Sequence, residues 1–413
     1  MDIRQKMRPG FQTVEGGLFS QVEKADVGGA AEALARAGGD NLGWADPFAP
    51  DDSLPQALKD IAIERIRSGL SAHYTHPTGD PQLKAAIARK CERQNGLAVD
   101  PNRNVLVTPG SDSGLLFAMM PFIGPGDEVL VPDPSYPSNF LNPQLLGGRA
   151  VSVPLEEENG FRLTRAALEA AFSPRTKMVL LTNPNNPTST VFSRQELEML
   201  AAFVREKDLV AVVDQAFEDY VFDGREMVTL ASLPGIWERT ITVCSLSKGY
   251  ALSGARVGYL VADDRIMDVL YGSAVNVIGA TNSTFQAVAA YALDHPELLE
   301  EPRRAFDRRR KAVHALLQGI PGVKSPLPES AYLTWADVSA LGTAEEVAAC
   351  LMRKAKVCVN AGTPYGKMGA GHIRIVHGCF LDEARICRAM ERVRAALLQL
   401  SREKGLAEKT EEA

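Results

Sequence analysis

The chain has 413 residues, enough for two or three domains of ordinary size, and a formal net charge of −6 from 45 basic and 51 acidic residues. A net acidic chain lacks the extended basic surface that holds phosphate backbones, which disfavours a nucleic-acid partner. The hydrophobic fraction of 45% and the charged fraction of 23% are typical of globular chains and exclude wholesale disorder and fibrous repeats.

The N-terminal stretch MDIRQKMRPGFQTVEGG has no apolar core of the kind that secretory signals carry, and no run of 18 or more apolar residues occurs in the sequence. We therefore predict neither a signal peptide nor a membrane partner. The six cysteines are scattered without a Cys-x-x-Cys pair, which disfavours a disulfide scaffold and a zinc site. We expect a cytoplasmic protein without a metal centre, whose residues 1–50 form an arm or a segment of a small domain.

Short, β-branched apolar runs alternate with helical patterns in the middle of the chain. The strand candidates are NVLVT, DEVLVP, AVSVPL, KMVLLTN, LVAVVD, TITVCS and RVGYLVA. Helices are predicted between them at 111–120, 164–172 and 193–207. The last of these opens with Ser193 and Glu196 at the spacing of a capping box. The alternation predicts an α/β fold with a mostly parallel seven-stranded sheet between helices, in a large domain over residues 51–305.

The C-terminal third combines long helical patterns with three short strands. The strand candidates are AYLTWADV, KVCVN and HIRIVHG, and helices are predicted at 344–353 and 382–400. This pattern predicts a smaller α+β domain over residues 306–402, completed by the N-terminal segment, so that both chain ends contribute to it. Residues 403–413 are expected to form a disordered tail.

The segment SLSKGYALSGARVGY follows a predicted buried strand. A lysine at such a strand end loses charge by desolvation, so Lys248 can become the neutral amine that a Schiff-base nucleophile requires. Arg256, eight residues later, carries a planar fork of donors that suits a phosphate. Taken alone, Lys248 could equally be an exposed loop lysine.

Two further strand ends carry residues suited to a ligand. The small residues from Gly110 to Gly114 join a strand to a helix, where backbone N–H groups can bind an anion, although an ordinary capped turn has the same composition. Asp214 ends the strand LVAVVD, at the edge where open α/β sheets bind ligands, although it could only cap the next helix. An amine, a phosphate site and a carboxylate that keeps a ring nitrogen protonated match the needs of pyridoxal 5′-phosphate (PLP).

Five motifs, in this order along the chain, resemble those of the class I/II aminotransferases, the fold type I PLP enzymes: HYTHPTGDPQLKAAI, TNPNNPT, VVDQAFEDY, SLSKGYALSGARVGY and HIRIVHG. The resemblance covers roughly residues 40 to 400. It implies PLP as the cofactor, an amino acid and a 2-oxo acid as substrates, and amino transfer in two half-reactions through pyridoxamine phosphate. It also implies a homodimer with active sites at the subunit interface.

The resemblance assigns roles to individual residues. Lys248 matches the lysine that binds PLP covalently, Asp214 the partner of the pyridine nitrogen and Tyr136 the aromatic on the ring face, and we expect these three to be catalytic. Asn186 matches the asparagine at the ring's O3′ and lies beside the substrate, and Arg374 matches the arginine that binds the α-carboxylate. The implied phosphate contacts are Gly110, Ser111, Asp112, Ser245, Arg256 and, from the neighbouring subunit, Tyr74. Without the resemblance, Tyr136 would be loop packing and Arg374 a surface arginine.

Three positions depart from the family pattern. Phe217, in the cofactor site, replaces a tyrosine whose hydroxyl bonds O3′, so we expect the lysine–PLP linkage to titrate at higher pH than in relatives. Ser189 and Ala45 replace glycines. Trp44 and Ala45 lie in a segment expected to line the substrate pocket, although Trp44 could be a packed core aromatic. The stretch GSAVNVIGATNST lacks the arginine of aspartate-specific relatives, which disfavours an enzyme restricted to dicarboxylates.

Two other functions fit the same motifs. A lyase of this fold would break a C–S or C–O bond at Cβ and would release pyruvate and ammonia without an oxo-acid acceptor. A non-catalytic PLP-binding regulatory module is disfavoured because no basic arm precedes the predicted fold. We predict an aminotransferase, with the lyase as the first alternative and the regulatory module as the second.

Overall fold

The computed structural model describes residues 3–12, 33–34 and 36–406. Its strands are β1 (Asp40–Asn41), β2 (Val105–Thr108), β3 (Glu128–Asp133), β4 (Arg149–Pro154), β5 (Thr176–Thr182), β6 (Val210–Asp214), β7 (Thr240–Ser245), β8 (Gly258–Val261), β9 (Leu333–Asp337), β10 (Val357–Cys358), β11 (Asn360–Ala361) and β12 (His372–Val376). Its α-helices are α1 (Gln56–Arg67), α2 (Pro81–Lys90), α3 (Ser111–Met119), α4 (Pro137–Leu145), α5 (Arg165–Ala171), α6 (Arg194–Glu206), α7 (Leu246–Gly249), α8 (Asp264–Val277), α9 (Ser283–Asp294), α10 (Glu300–Leu317), α11 (Ala344–Lys354) and α12 (Glu383–Glu403). Part of the predicted N-terminal segment, residues 13–32, and residues 407–413 of the predicted tail lie outside the described residues.

Seven strands form one sheet in the order β2-β8-β7-β6-β5-β3-β4. They correspond to the seven predicted strands, and the predicted mostly parallel sheet is confirmed. Only β8 runs against the others in this sheet, antiparallel to both β2 and β7. Parallel neighbours need a long crossover, usually through a helix that packs on the sheet. The connection from β7 to β8 contains only the four-residue α7 and a short 3₁₀ turn, so β8 returns directly beside β7.

Helices cover both faces of this sheet. In β5, Val179 and Leu181 pack in one hydrophobic cluster with α6, whereas Met178 and Leu180 pack in another with α3 and α8. This alternation follows from the two-residue period of a strand, which sends successive side chains to opposite faces. Both sets are buried, which explains why the strands are near-continuous apolar runs in the sequence.

A second, smaller sheet has the order β11-β12-β9 and is antiparallel. Its core includes residues of α10, α11 and α12 and also takes in Leu42 and Phe48 from the N-terminal side. The predicted strand KVCVN is divided into β10, which pairs with β1, and β11, which pairs with β12. Strand β1 has only two residues and was not predicted, because so short a segment carries no periodicity.

The predicted capping box at the start of α6 is confirmed. The Ser193 hydroxyl accepts a hydrogen bond from the Glu196 N–H at 3.3 Å, and the Glu196 carboxylate accepts one from the Ser193 N–H at 2.8 Å. The last helix runs to Glu403, three residues past its predicted end. None of the helices in the described part of the chain is both long and apolar enough to cross a bilayer.

Candidate active site

The predicted lysine lies at the carboxyl end of β7, in the short helix α7. The Ser245 hydroxyl caps this helix by accepting a hydrogen bond from the Ser247 N–H at 3.1 Å. The Nζ atom of Lys248 donates to the carbonyl of Ala45 at 2.5 Å and lies 5.9 Å from the centre of the Phe217 ring. The structure therefore brings together three predicted site residues from distant parts of the chain.

Asp214 is the last residue of β6, the neighbour of β7, and its side chain is buried. Its carboxylate accepts one hydrogen bond, from the Ala216 N–H at 3.0 Å. Burial raises the pKa of Asp214 to about 7; the bond from Ala216 and the charge of Lys248 lower it, whereas the charge of Asp112 adds to the rise. A carboxylate removed from water in this way is stabilised by a positively charged N–H partner.

Glycines bring an arginine close to the start of α3. Gly110 has a φ of +83°, and a Cβ atom built on it would lie 2.3 Å from a guanidinium nitrogen of Arg256. A Cβ atom on Gly258 would lie 2.7 Å from the backbone nitrogen of Ser111. Ser245 pairs with Gly258 across β7 and β8, and no side chain within the described residues caps α3. A helix N-terminus next to a guanidinium has the charge and the N–H groups that can bind an anion such as a phosphate.

Arg374 lies in β12 and is only 1% exposed, so the alternative of a surface arginine is wrong. One terminal nitrogen donates to the Asn186 side-chain oxygen at 3.1 Å, and the other donates to the Gly43 carbonyl at 3.0 Å. The Nε atom and one terminal nitrogen both donate to the Asn360 side-chain oxygen, at 3.0 and 2.7 Å. This arrangement fixes the plane of a buried guanidinium, the group that binds carboxylates in a bidentate manner.

Sequence reasoning missed Asn360. It lies directly opposite Arg374 in the antiparallel pairing of β11 with β12. No local pattern marks this asparagine, because its importance depends on which strands pair. The only signal that could have found it is the register between KVCVN and HIRIVHG.

The aromatic residues of the predicted site differ in exposure. Tyr136 is half-buried and precedes α4, just beyond the carboxyl end of β3. Trp44 is 43% exposed, which argues against a packed core aromatic. Tyr74 is 94% exposed and therefore makes little contact within its own chain. Tyr365, which was not predicted, lies with its ring 5.0 Å from the guanidinium carbon of Arg374.

These groups fit PLP. Lys248 offers an amine, and the buried acid Asp214 suits a protonated ring nitrogen. The helix start beside Arg256 suits a phosphate, and the close approach allowed by Gly110 leaves no room there for a side chain. The donor set thus contains a partner for the aldehyde, the ring nitrogen and the phosphate of the cofactor.

Known proteins share this fold and are similar to this chain in sequence. The family model described as "Aminotransferase class I and II" matches residues 41–393. An aspartate aminotransferase of Pyrococcus abyssi is 34% identical over 354 residues, which cover 84% of this chain and 90% of that relative. An aromatic-amino-acid aminotransferase of Thermococcus litoralis is 33% identical with the same coverage. The crystal structure of an aromatic aminotransferase from Pyrococcus horikoshii, 31% identical, has a TM-score of 0.83 and covers 91% of this chain and 100% of that chain.

Proposed function

Because the chain belongs to the class I and II aminotransferase family, we propose that Lys248, Asp214 and Arg374 perform the amino transfer that this family catalyses. The protein is a PLP-dependent aminotransferase, which moves an amino group from an amino acid to a 2-oxo acid. The aminotransferase names of its relatives do not favour the lyase or the regulatory module. The observation that supports the residue assignment is the position of the buried Asp214 and of Lys248 at the carboxyl ends of the adjacent strands β6 and β7.

PLP, when bound, supplies an aldehyde carbon that reacts with amines and a ring that withdraws electrons from the reacting carbon. Lys248 would hold the cofactor covalently in the resting enzyme. Its Nζ atom would act as the general base for the proton at Cα of the amino acid and as the general acid that returns a proton. The short helix α7 keeps this amine at the strand end, where it donates to the Ala45 carbonyl.

Asp214 would hold the ring nitrogen in its protonated state. A buried carboxylate and a protonated nitrogen stabilise each other, because each is desolvated and the hydrogen bond between them is charge-assisted. Its position on a strand of the central sheet makes this interaction preorganised, so it costs no rearrangement during the reaction. Asn186 is assigned to O3′, and the rings of Tyr136 and Phe217 to the surroundings of the cofactor.

Arg374 would bind the α-carboxylate of the substrate. Its guanidinium is already oriented by Asn360 and Asn186, so little side-chain entropy is lost on binding. The Gly43 carbonyl, which now accepts from Arg374, is the contact that a carboxylate can replace. Trp44 and Ala45, in the same segment, are assigned to the substrate pocket.

The phosphate is assigned to the start of α3 and the strand ends beside it. The proposed contacts are Gly110, Ser111, Asp112, Ser245 and Arg256. The glycine geometry at Gly110 supports this assignment, since it allows the guanidinium to approach the helix start. Tyr74 of a neighbouring subunit is assigned as a further contact.

We also propose a homodimer. Its support is a set of exposed apolar side chains around α1, the following 3₁₀ turn and α8: Ile63, Ile66, Leu70, Tyr74, Val269, Val275 and Val277. The Ser283 hydroxyl, at the start of α9, donates to the Ser71 carbonyl at 3.1 Å and so joins the 3₁₀ turn to α9. Contiguous exposed apolar patches are typical of protein interfaces, and these side chains are the candidates for such a patch.

We also propose a domain organisation and a subcellular location. The shared core of Leu42 and Phe48 with the C-terminal residues supports a small domain built from 1–50 and 306–402, beside a large domain over 51–305. Glu403, the first residue of the predicted tail, is the last residue of α12, and residues 407–413 lie outside the described residues. All six cysteines are described and none is in a disulfide, which supports a cytoplasmic location.

The test of the function is a half-reaction screen. The purified holoenzyme is mixed with single amino acids, without an oxo acid, and its visible spectrum is followed. We expect conversion to the pyridoxamine phosphate form and stoichiometric release of a 2-oxo acid, and loss of this conversion in Lys248→Ala. Continuous release of pyruvate and ammonia would identify a lyase instead.

Borohydride reduction of the holoenzyme tests the residue assignment separately. Reduction followed by peptide mass spectrometry is expected to find PLP attached to Lys248. Attachment to a different lysine would overturn the assignment.

A further inference from the structure

The helix that carries Lys248 is too short to be stable by itself. A helix of four residues makes at most one or two internal hydrogen bonds, and the carbonyls of its last turn need outside partners. One partner is the hydroxyl of Tyr220, which donates to the carbonyl of Gly249 at 2.5 Å. Gly249 is the residue directly after the lysine, so this bond acts one residue from the reacting group.

Tyr220 is held firmly in this position. It is only 1% exposed, and its ring packs edge-on against Phe306 with centroids 5.0 Å apart. Its own carbonyl accepts a hydrogen bond from the Ala331 N–H at 2.7 Å. Burial raises the pKa of Tyr220 well above its ordinary value, so the hydroxyl keeps the proton that it donates.

The neighbouring Asp219 supports the same turn from a second side. A Cβ atom built on Gly249 would lie 1.9 Å from a carboxylate oxygen of Asp219. The carboxylate therefore lies directly against the backbone of Gly249, where a side chain could not fit. Two consecutive residues thus contact the backbone next to Lys248.

Asp219 and Tyr220 belong to the segment that begins at Asp214. A buried ion pair between Glu218 and Lys90 joins this segment to the end of α2. The Asn95 amide donates to Glu218 at 2.8 Å and to the Thr229 hydroxyl at 2.9 Å. The segment is therefore fixed by buried polar contacts on one side and holds the lysine turn on the other.

We propose that Tyr220 is a positioning residue for Lys248, and that its hydroxyl fixes the amine relative to the ring held by Asp214. This inference rests on the proposed role of Lys248. The proton transfer between Lys248 and Cα depends on this geometry, and a displacement of about 1 Å can cost on the order of 10²-fold in rate. Substrate binding depends on Arg374, which Tyr220 does not contact through its hydroxyl.

The test compares Tyr220→Phe with Tyr250→Phe. Both changes remove one buried tyrosine hydroxyl near the lysine turn, but the Tyr250 hydroxyl makes no hydrogen bond to any described residue. In Tyr220→Phe we expect kcat of the half-reaction to fall by about 10- to 100-fold with KM nearly unchanged. The circular dichroism of the visible cofactor band, which reports how the bound ring is held, is expected to weaken. Tyr250→Phe is expected to match the wild type in both measurements.

Each outcome decides the inference. Equal spectra and equal kcat in the two variants would overturn it, and so would a loss in Tyr220→Phe that appears only as a lower melting temperature. If Tyr220→Phe does not fold, Gly249→Ala replaces it, since the added methyl must displace the turn from Asp219: an unchanged cofactor band would then refute the inference. The dichroism needs no turnover, so it remains decisive if the wild type converts no amino acid and the proposed function itself fails.

Discussion

At the residue scale, the proposed site depends on groups that orient its functional side chains. Asn360, which orients Arg374, allows a direct test of this dependence. Its side-chain oxygen accepts two hydrogen bonds from Arg374. In Asn360→Ala the guanidinium loses this support, and we expect KM for the amino acid to rise about 5- to 30-fold, the equivalent of about 1–2 kcal/mol, while kcat changes little. Steady-state kinetics at saturating PLP measures both constants.

The matched variant is Asn360→Asp. Its carboxylate would pair with Arg374 and compete with the substrate for the guanidinium, so KM should rise further than in Asn360→Ala. A smaller KM in the aspartate variant than in the alanine variant would show that Asn360 does not act through Arg374.

The buried acid Asp214 makes a prediction about the apoenzyme. Its pKa is raised to about 7 in the folded chain, whereas an unfolded chain releases this proton near pH 4. Between these values the folded state binds more protons, so stability falls as the pH rises from about 4 through 7. Asn has no proton to lose in this range, so the stability of Asp214→Asn lacks this decrease with pH. Thermal unfolding of the apoenzyme should find the variant's advantage over the wild type larger at pH 8 than at pH 5, and an equal difference at both pH values would contradict the raised pKa.

Residues at strand ends inside motifs could be predicted, and residues defined by pairing could not. Lys248 and Asp214 each follow or end an apolar run, so the sequence indicates their position at strand ends. The burial of Arg374 could not be read from its own segment, which is equally compatible with a surface arginine. Asn360 and Tyr220 carry no such signal, because their contacts cross between strands or segments that are distant in the chain. The effect of Phe217 on the titration of the cofactor linkage stays a prediction.

At the scale of elements, the start of β3 holds a buried carboxylate that links three chain segments. Glu128 accepts from the Ser173 hydroxyl at 2.6 Å, from Arg175 at 2.9 Å and from Arg149 of β4 at 2.6 Å. The Ser173 bond, with the two arginines, lowers the pKa of Glu128 from 4.5 to about 2. Glu128→Gln should lose about 1–3 kcal/mol of unfolding free energy at pH 7.

The pH dependence identifies the cause of this loss. A carboxylate with a lower pKa in the folded state than in the unfolded state stabilises the fold at pH values above its unfolded pKa of 4.5. This contribution disappears as the pH falls toward 2. Denaturant unfolding should therefore find the wild type and Glu128→Gln nearly equal near pH 2. The control is Glu226→Gln, which breaks an exposed pair with Arg194 and should cost only about 0–1 kcal/mol. An equal loss in both variants at pH 7 would count against a special role for Glu128.

The elements that could be predicted are those with a clear period. The seven strands of the large sheet are continuous apolar runs because both of their faces are buried. The reversed direction of β8 could not be predicted, since direction depends on the connection and not on the strand. The pairing of β1 with β10 was equally hidden, because each has only two residues and the pair joins distant parts of the chain.

At the scale of the whole molecule, the proposed dimer predicts shared active sites. Size-exclusion chromatography with light scattering should give twice the chain mass of 44.6 kDa. If Tyr74 reaches the neighbouring subunit's phosphate site, Tyr74→Ala and Lys248→Ala should complement each other. A hybrid dimer contains one site with both native residues, so co-expression should restore up to about a quarter of wild-type activity at limiting PLP. Absence of any restoration, in hybrids that are shown to form, would contradict a shared site.

The backbone of the segment from Gly43 to Ala45 contacts both Lys248 and Arg374. The Gly43 carbonyl accepts from Arg374 and the Ala45 carbonyl from Lys248. These carbonyl groups belong to the backbone of Gly43 and Ala45, so a substitution of Trp44 removes neither hydrogen bond. The exposed Trp44 is therefore a natural first position for a saturation library aimed at changing which amino acids the enzyme accepts.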